Sequence, residues 1–150
     1  MKQLTHILVP LDGSELAEKA LETAFTLARY SKAEVTILRV LRPVEEILTI
    51  DKTNASFIKE QEQAREKKNT EYLTEVQGRY KDTSFVINPV LKTGADAETI
   101  IAYAKEKGVD LIVMATHGRT GLHRWVHGSV STKVLNGASH PVLLVRSFTD

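Results

Sequence analysis

The sequence contains no cysteine. This excludes disulfides and thiolate metal sites, and it fits a cytoplasmic location. No charge of either sign dominates: the formal net charge is +1, so no general attraction to nucleic acid or an anionic membrane is implied. The first residues, Met1 to His6, lack the apolar core of a signal peptide. No apolar run approaches the roughly 20 residues needed to span a bilayer. Several enzyme signatures are missing as well. There is no Walker A sequence, no G-x-G-x-x-G and no G-x-S-x-G elbow. Arg39, Val40 and Leu41 stand where a dinucleotide binder would carry an acidic residue after its second strand.

What is present reads as one ordinary globular domain over 1–150, with 42% hydrophobic and 26% charged residues. Residues Ile7 to Val9, flanked by Leu4 and Leu11, form a first strand, broken at Pro10-Leu11-Asp12-Gly13-Ser14. Ala17, Ala20, Leu21, Ala24, Leu27 and Ala28 then fall on one helical stripe. Ser14 is positioned to cap it, and Glu15 and Glu18 favour its positive end. Glu34 to Val40 is a second strand, parallel to the first through a right-handed helical crossover. Residues 41–54 show no period, and 41–60 is expected to be disordered or a mobile lid. Ala55 to Tyr80 reads as a long helix with a thin apolar stripe of Phe57, Ala64, Leu73, Val76 and Tyr80.

Phe85 to Leu91 is a third strand. Pro89 cannot donate to a ladder, which places this strand at a sheet edge. A helix opens at Gly94-Ala95-Asp96 and ends at Gly108 in a left-handed conformation. The run Leu111 to Ala115 is a strand buried on both faces. A polar loop with Gly118, Gly121 and Gly128 follows, then a helix capped by Ser129 and closed by Gly137, then a last strand, Pro141 to Val145. Strands alternating with helices define a doubly wound α/β sheet with helices on both faces. Its ligand is expected beyond the carboxyl ends of the first and fourth strands. Strand, glycine loop and helix N-terminus together suggest a phosphate cradle.

Met114-Ala115-Thr116-His117-Gly118-Arg119-Thr120-Gly121-Leu122, followed by Gly128-Ser129-Val130, closely resembles the motif of the universal stress protein family. Nucleotide-binding members carry glycine, two residues, glycine, nine residues, then glycine and serine or threonine. Gly118, the nine residues Arg119 to His127, and Gly128-Ser129 fit, whereas Ala115 stands at the first glycine. The resemblance extends over the whole chain. It implies a Rossmann-like five-stranded parallel sheet of order 3-2-1-4-5 and an adenine pocket of Pro10, Leu11, Val40 and Met114. It also implies that Asp12 contacts the nucleoside and that a homodimer forms through Pro141 to Val145. Gly118, Arg119, Gly128, Ser129 and Ser131 would meet the phosphates, with Ala115, His117 and Val130 completing the motif. The expected function is ATP binding with Mg²⁺ as a regulatory event with little turnover.

Two other readings stay open. One is a non-binding structural dimer of the same family, favoured by Ala115. The other is an ATP-hydrolysing or adenylating enzyme. Asp12 has an alternative role in an Asx-turn with Ser14. Arg124 and Lys133 default to solvated surface, His140 to a structural role, and Trp125 covers the site or packs beneath it. His117, His123 and His127 lack the carboxylates or further ligands that would complete a metal site.

Overall fold

The computed structural model describes residues 2–48, 54–80, 84–118 and 129–148. In chain order the elements are β1 (His6–Leu11), α1 (Glu15–Ser31), β2 (Glu34–Leu41), α2 (Val44–Leu48), α3 (Ala55–Arg79), β3 (Ile87–Thr93), α4 (Asp96–Glu106), β4 (Leu111–Gly118), α5 (Ser129–Gly137) and β5 (Val142–Phe148). The strands make one sheet of order β3-β2-β1-β4-β5, parallel throughout. Strand alternation divides the core. Val9, Val35, Ile37 and Val113 pack against α1 and α3, while Leu8, Leu38, Ile112 and Met114 pack against α4 and α5. On the first face Phe25 contacts Tyr80 edge-on, with ring centroids 4.5 Å apart, and Phe85 at 5.1 Å.

Local chemistry accounts for most boundaries. Ser14 caps α1, accepting from the Ala17 amide at 3.1 Å. Gly108, at φ +62°, closes the α4 terminus in the left-handed region. Pairing of β3 with β2 uses the Val86 carbonyl and the Gly94 amide. Main-chain groups of even-numbered residues therefore face β2. The missing N–H of Pro89 points to the open edge, where it costs nothing.

Four expectations need correction. Residues 41–60 are not uniformly irregular: Leu41 ends β2, Val44–Leu48 is a short helix and α3 begins at Ala55, while 49–53 lie outside the described residues. In α3 the buried residues are Ile58, Leu73 and Val76, whereas Phe57 is 38% exposed and Ala64 is exposed. The middle of α3 meets polar strand-end groups instead: Arg65 donates to the Arg42 carbonyl and Asn69 accepts from Arg39. Strand β3 lies two residues later than expected, because Phe85 is spent on the aromatic cluster. Strand β4 runs on to Gly118, because β5 continues to Phe148 and supplies a partner for the polar Thr116-His117-Gly118.

At the amino end of the sheet Asp110 fastens β4 to β1. Its Oδ2 accepts from the Thr5 amide (2.9 Å), the Thr5 hydroxyl (2.7 Å) and the His6 amide (3.0 Å), and Lys2 pairs with Oδ1 at 3.1 Å. Burial alone would raise this carboxyl. The bonds from Thr5, Lys2 and His6 outweigh it and hold the group well below its ordinary value of 3.8. A depressed folded pKa contributes stability that is present above the ordinary value and lost as pH falls below it. Asp110→Asn is therefore expected to cost about 1–3 kcal/mol at neutral pH. It should also flatten part of the acid limb of a urea-denaturation series measured against pH.

Candidate functional site

Strands β1 and β4 pair only at Ile7↔Leu111 and Leu8↔Ile112. Beyond these pairs β4 stays with β5 and leaves β1, and a cavity of about 390 Å³ opens between their carboxyl ends. This volume lies within the range of small-ligand sites. Its apolar lining includes Leu38, Val40, Ile100 and Met114, which belong to one packed cluster. Its polar lining includes Asp12, Ser14, Thr116, Ser129 and Ser131.

Nine sequence-expected residues meet here: Pro10, Leu11, Asp12, Val40, Met114, Ala115, Ser129, Val130 and Ser131. His117 and Gly118 are the last residues of β4, paired with Ser147 and Phe148, rather than part of a loop. Arg119 and Gly128 lie outside the described residues, as do Gly121, His123, Arg124, Trp125 and His127. Ser129 is the first described residue of α5. Among the described residues, no group of three or more His, Asp or Glu side chains is gathered to hold a metal ion.

Asp12 makes the Asx-turn. Its Oδ1 accepts from the Ser14 amide at 2.8 Å and the Ser14 hydroxyl at 2.5 Å. Gly13 follows at φ +88°, a conformation strained for any other residue. The turn does not exclude a binding role. It fixes the carboxylate at the cavity wall and leaves Oδ2 without a partner among the described residues. Ala115 belongs to β4, and the only non-glycine residue with positive φ among the described residues is Lys32. The alanine therefore introduces no backbone strain.

Three helices present their N-termini to the cavity, through Leu16 and Ala17 of α1, Asp96 of α4, and Ser129 to Ser131 of α5. Helix α1 carries Glu15 and Glu18 in its first turn and α4 carries Asp96 and Glu98, whereas α5 carries no acid there. The positive end of α5 is thus the uncompensated one, and the one suited to an anion.

Eight lining residues escaped the sequence reading, three of them polar groups outside the Asp12 turn: Thr116, Asp96 and Arg39. Thr116 is 5% exposed, and its Oγ1 has no hydrogen-bond partner among the described residues. Its place two residues after Met114, on the same strand face, was the available signal. Asp96 is held by Arg42, Nε to Oδ2 at 3.2 Å. Arg39 lies on the wall nearest α3. On that side the Tyr72 phenol is pushed up to about 12 by burial and then by the Glu18 carboxylate, so it stays neutral at ordinary pH.

A doubly wound α/β protein with a ligand-sized cavity at its switch point is the class that this geometry defines. The chain belongs to the universal stress protein family, whose model matches residues 3–146. It is 34% identical to the universal stress protein YxiE of Bacillus subtilis, over 93% of this chain and 97% of that one. It is 30% identical to the universal stress protein MJ0577 of Methanocaldococcus jannaschii, over 93% of each. The solved structure of MJ0577 superposes with a TM-score of 0.82, covering 99% of this chain and 100% of that one. More distant structures share the fold, at TM-scores of 0.64 and 0.65 and identities of 22% and 18%. They are a universal stress protein in complex with cAMP and the Archaeoglobus fulgidus protein in complex with dAMP. The first covers 97% of this chain and 98% of its own, and the second 95% and 98%.

An unpartnered buried hydroxyl costs the empty protein and rewards a bound ligand. Thr116→Val should leave the unliganded protein at least as stable in urea denaturation.

Proposed function

We propose that the cavity binds an adenine nucleotide, ATP with Mg²⁺, and that binding is a regulatory or sensing event in the cytoplasm with little or no turnover. The observation that carries this reading is the acid-free N-terminus of α5 on a cavity that also has the apolar lining Leu38, Val40, Ile100 and Met114. Phosphates would lie against α5 and the base among Leu38, Val40, Ile100 and Met114. The cAMP and dAMP complexes of fold neighbours support the same ligand class. Mg²⁺ usually takes one or two protein carboxylates and completes its shell with phosphates and water. The free Oδ2 of Asp12 fits that modest requirement. Slow turnover follows from the two carboxylates on the wall. With Oδ1 of Asp12 in its turn and Oδ2 assigned to the metal, and with Asp96 tied to Arg42, neither carboxylate among the described residues is left as a base.

ATP at about a hundred times its dissociation constant should stabilise the protein by roughly 2.7 kcal/mol. Phosphate release should stay far below about 1 s⁻¹, an ordinary enzyme rate. Ser129→Asp separates anion binding from folding. An acid in the first turn favours the helix but occupies the anion site. The variant should fold normally, bind adenosine as the wild type does, and lose ATP affinity by more than about tenfold. Equal ATP affinity in both proteins would remove α5 from the site.

We further propose a homodimer through β5. Among the described residues this strand pairs with β4 on one side only, and its apolar run has Leu143 37% exposed. Sedimentation at micromolar concentration should give the dimer mass, and Leu143→Lys should give the monomer.

A further inference from the structure

Arg39 pairs with Leu11, the last residue of β1, and lies on the cavity wall. Its guanidinium is held at two points. Nε donates to Asn69 Oδ1 at 3.1 Å, and Nη1 donates to the carbonyl of Val40 at 3.0 Å. Asn69 is itself anchored, its Nδ2 donating to the Arg65 carbonyl at 2.8 Å. A short relay from α3 thus sets a cation over the end of β2.

The carbonyl it covers is a singular one. Main-chain groups of even-numbered β2 residues face β1, because the Glu34 amide donates to Thr5 while the Val35 amide and the Leu41 carbonyl serve β3. By this register the Val40 carbonyl would take its next bond from Gly13. The chain has already turned away there, through Asp12 and Ser14. Val40 therefore offers the main-chain acceptor left over where the β1 ladder stops. Arg39 takes it.

A 6-amino purine brings N–H donors to a strand end and needs an acceptor. A 6-oxo purine brings an acceptor and needs a donor. A guanidinium has five N–H donors and no acceptor, and only two of its donors are accounted for here. It competes with the amino group for Val40 and offers a donor to the oxo group. We infer that Arg39, positioned by Asn69, sets the base selectivity of the cavity by narrowing the preference for 6-amino over 6-oxo purine nucleotides. This inference rests on the proposal that the cavity takes a purine nucleotide.

ATP and inosine triphosphate, which differ at the purine 6-position and the adjoining N1, are the probes. Dissociation constants for both are measured by calorimetry on the wild type, Arg39→Met and Asn69→Ala. Methionine keeps an unbranched stem and removes the donors. The wild type should bind the two triphosphates within about threefold of each other, and Arg39→Met should favour ATP by about tenfold, the worth of one charge-assisted hydrogen bond. Asn69→Ala should shift the ratio the same way by less, and it carries the test should Arg39→Met fail to fold. A wild type that binds ATP with an unmoved ratio in the variants overturns this inference alone. A wild type that already rejects inosine triphosphate by about a hundredfold overturns it too. Binding of neither triphosphate overturns the purine reading and this inference with it.

Discussion

The separation of β1 from β4 beyond Ile112 is the constraint from which the site follows. Each strand keeps its outer neighbour, β4 holding β5 as far as Gly118 and β1 holding β2 as far as Leu11, while the two part from one another. Asp110 sets the end at which they stay together. By gripping Thr5 and His6 it closes the amino ends, so the gap falls at the carboxyl ends. The helices that leave β1, β3 and β4 start beside that gap, and their N-termini surround it. The cavity is a product of where these two strands part rather than of any residue that carves it.

Much of this was legible in the chain. The apolar runs at Ile7, Val35 and Leu111 are strands because no other structure buries so short a run on both faces. Ser14, Gly108 and Pro89 acted through rules that need no tertiary information: a cap, a left-handed terminus and a missing donor. Illegible features were those decided by a distant partner. Thr116 to Gly118 look like loop and are strand because β5 happens to extend beside them. Ile58 rather than Phe57 is buried because α3 meets polar groups along its middle. The site divides in the same way. Residues at strand ends followed from the family motif, whereas Arg39, Asp96 and Thr116 line the cavity because of the face each happens to occupy.

Local and ligand-directed roles, which look like rivals in a sequence, need not compete in space. Asp12 spends Oδ1 on the turn while the residue lines the cavity. Ala115 departs from the family motif, yet its strand backbone accepts a methyl group without strain. A motif read residue by residue overstates the second of these and understates the first. The turn at Asp12 is what fixes its carboxylate, and a carboxylate free to rotate would lose more entropy on meeting any ligand.

Pro89 has a consequence beyond its own strand. The two borders of the sheet are chemically unequal. Along β5 the main chain offers hydrogen-bonding groups flanked by apolar side chains, while along β3 the outward sequence is interrupted by an imide nitrogen and bears Lys92. A sheet with two receptive borders could recruit copies of itself without limit, as fibres do. A sheet with one receptive border can be joined there once, by a two-fold operation, after which both exposed borders are the unreceptive kind. A single ring nitrogen thus makes the β3 border the poorer one for strand addition.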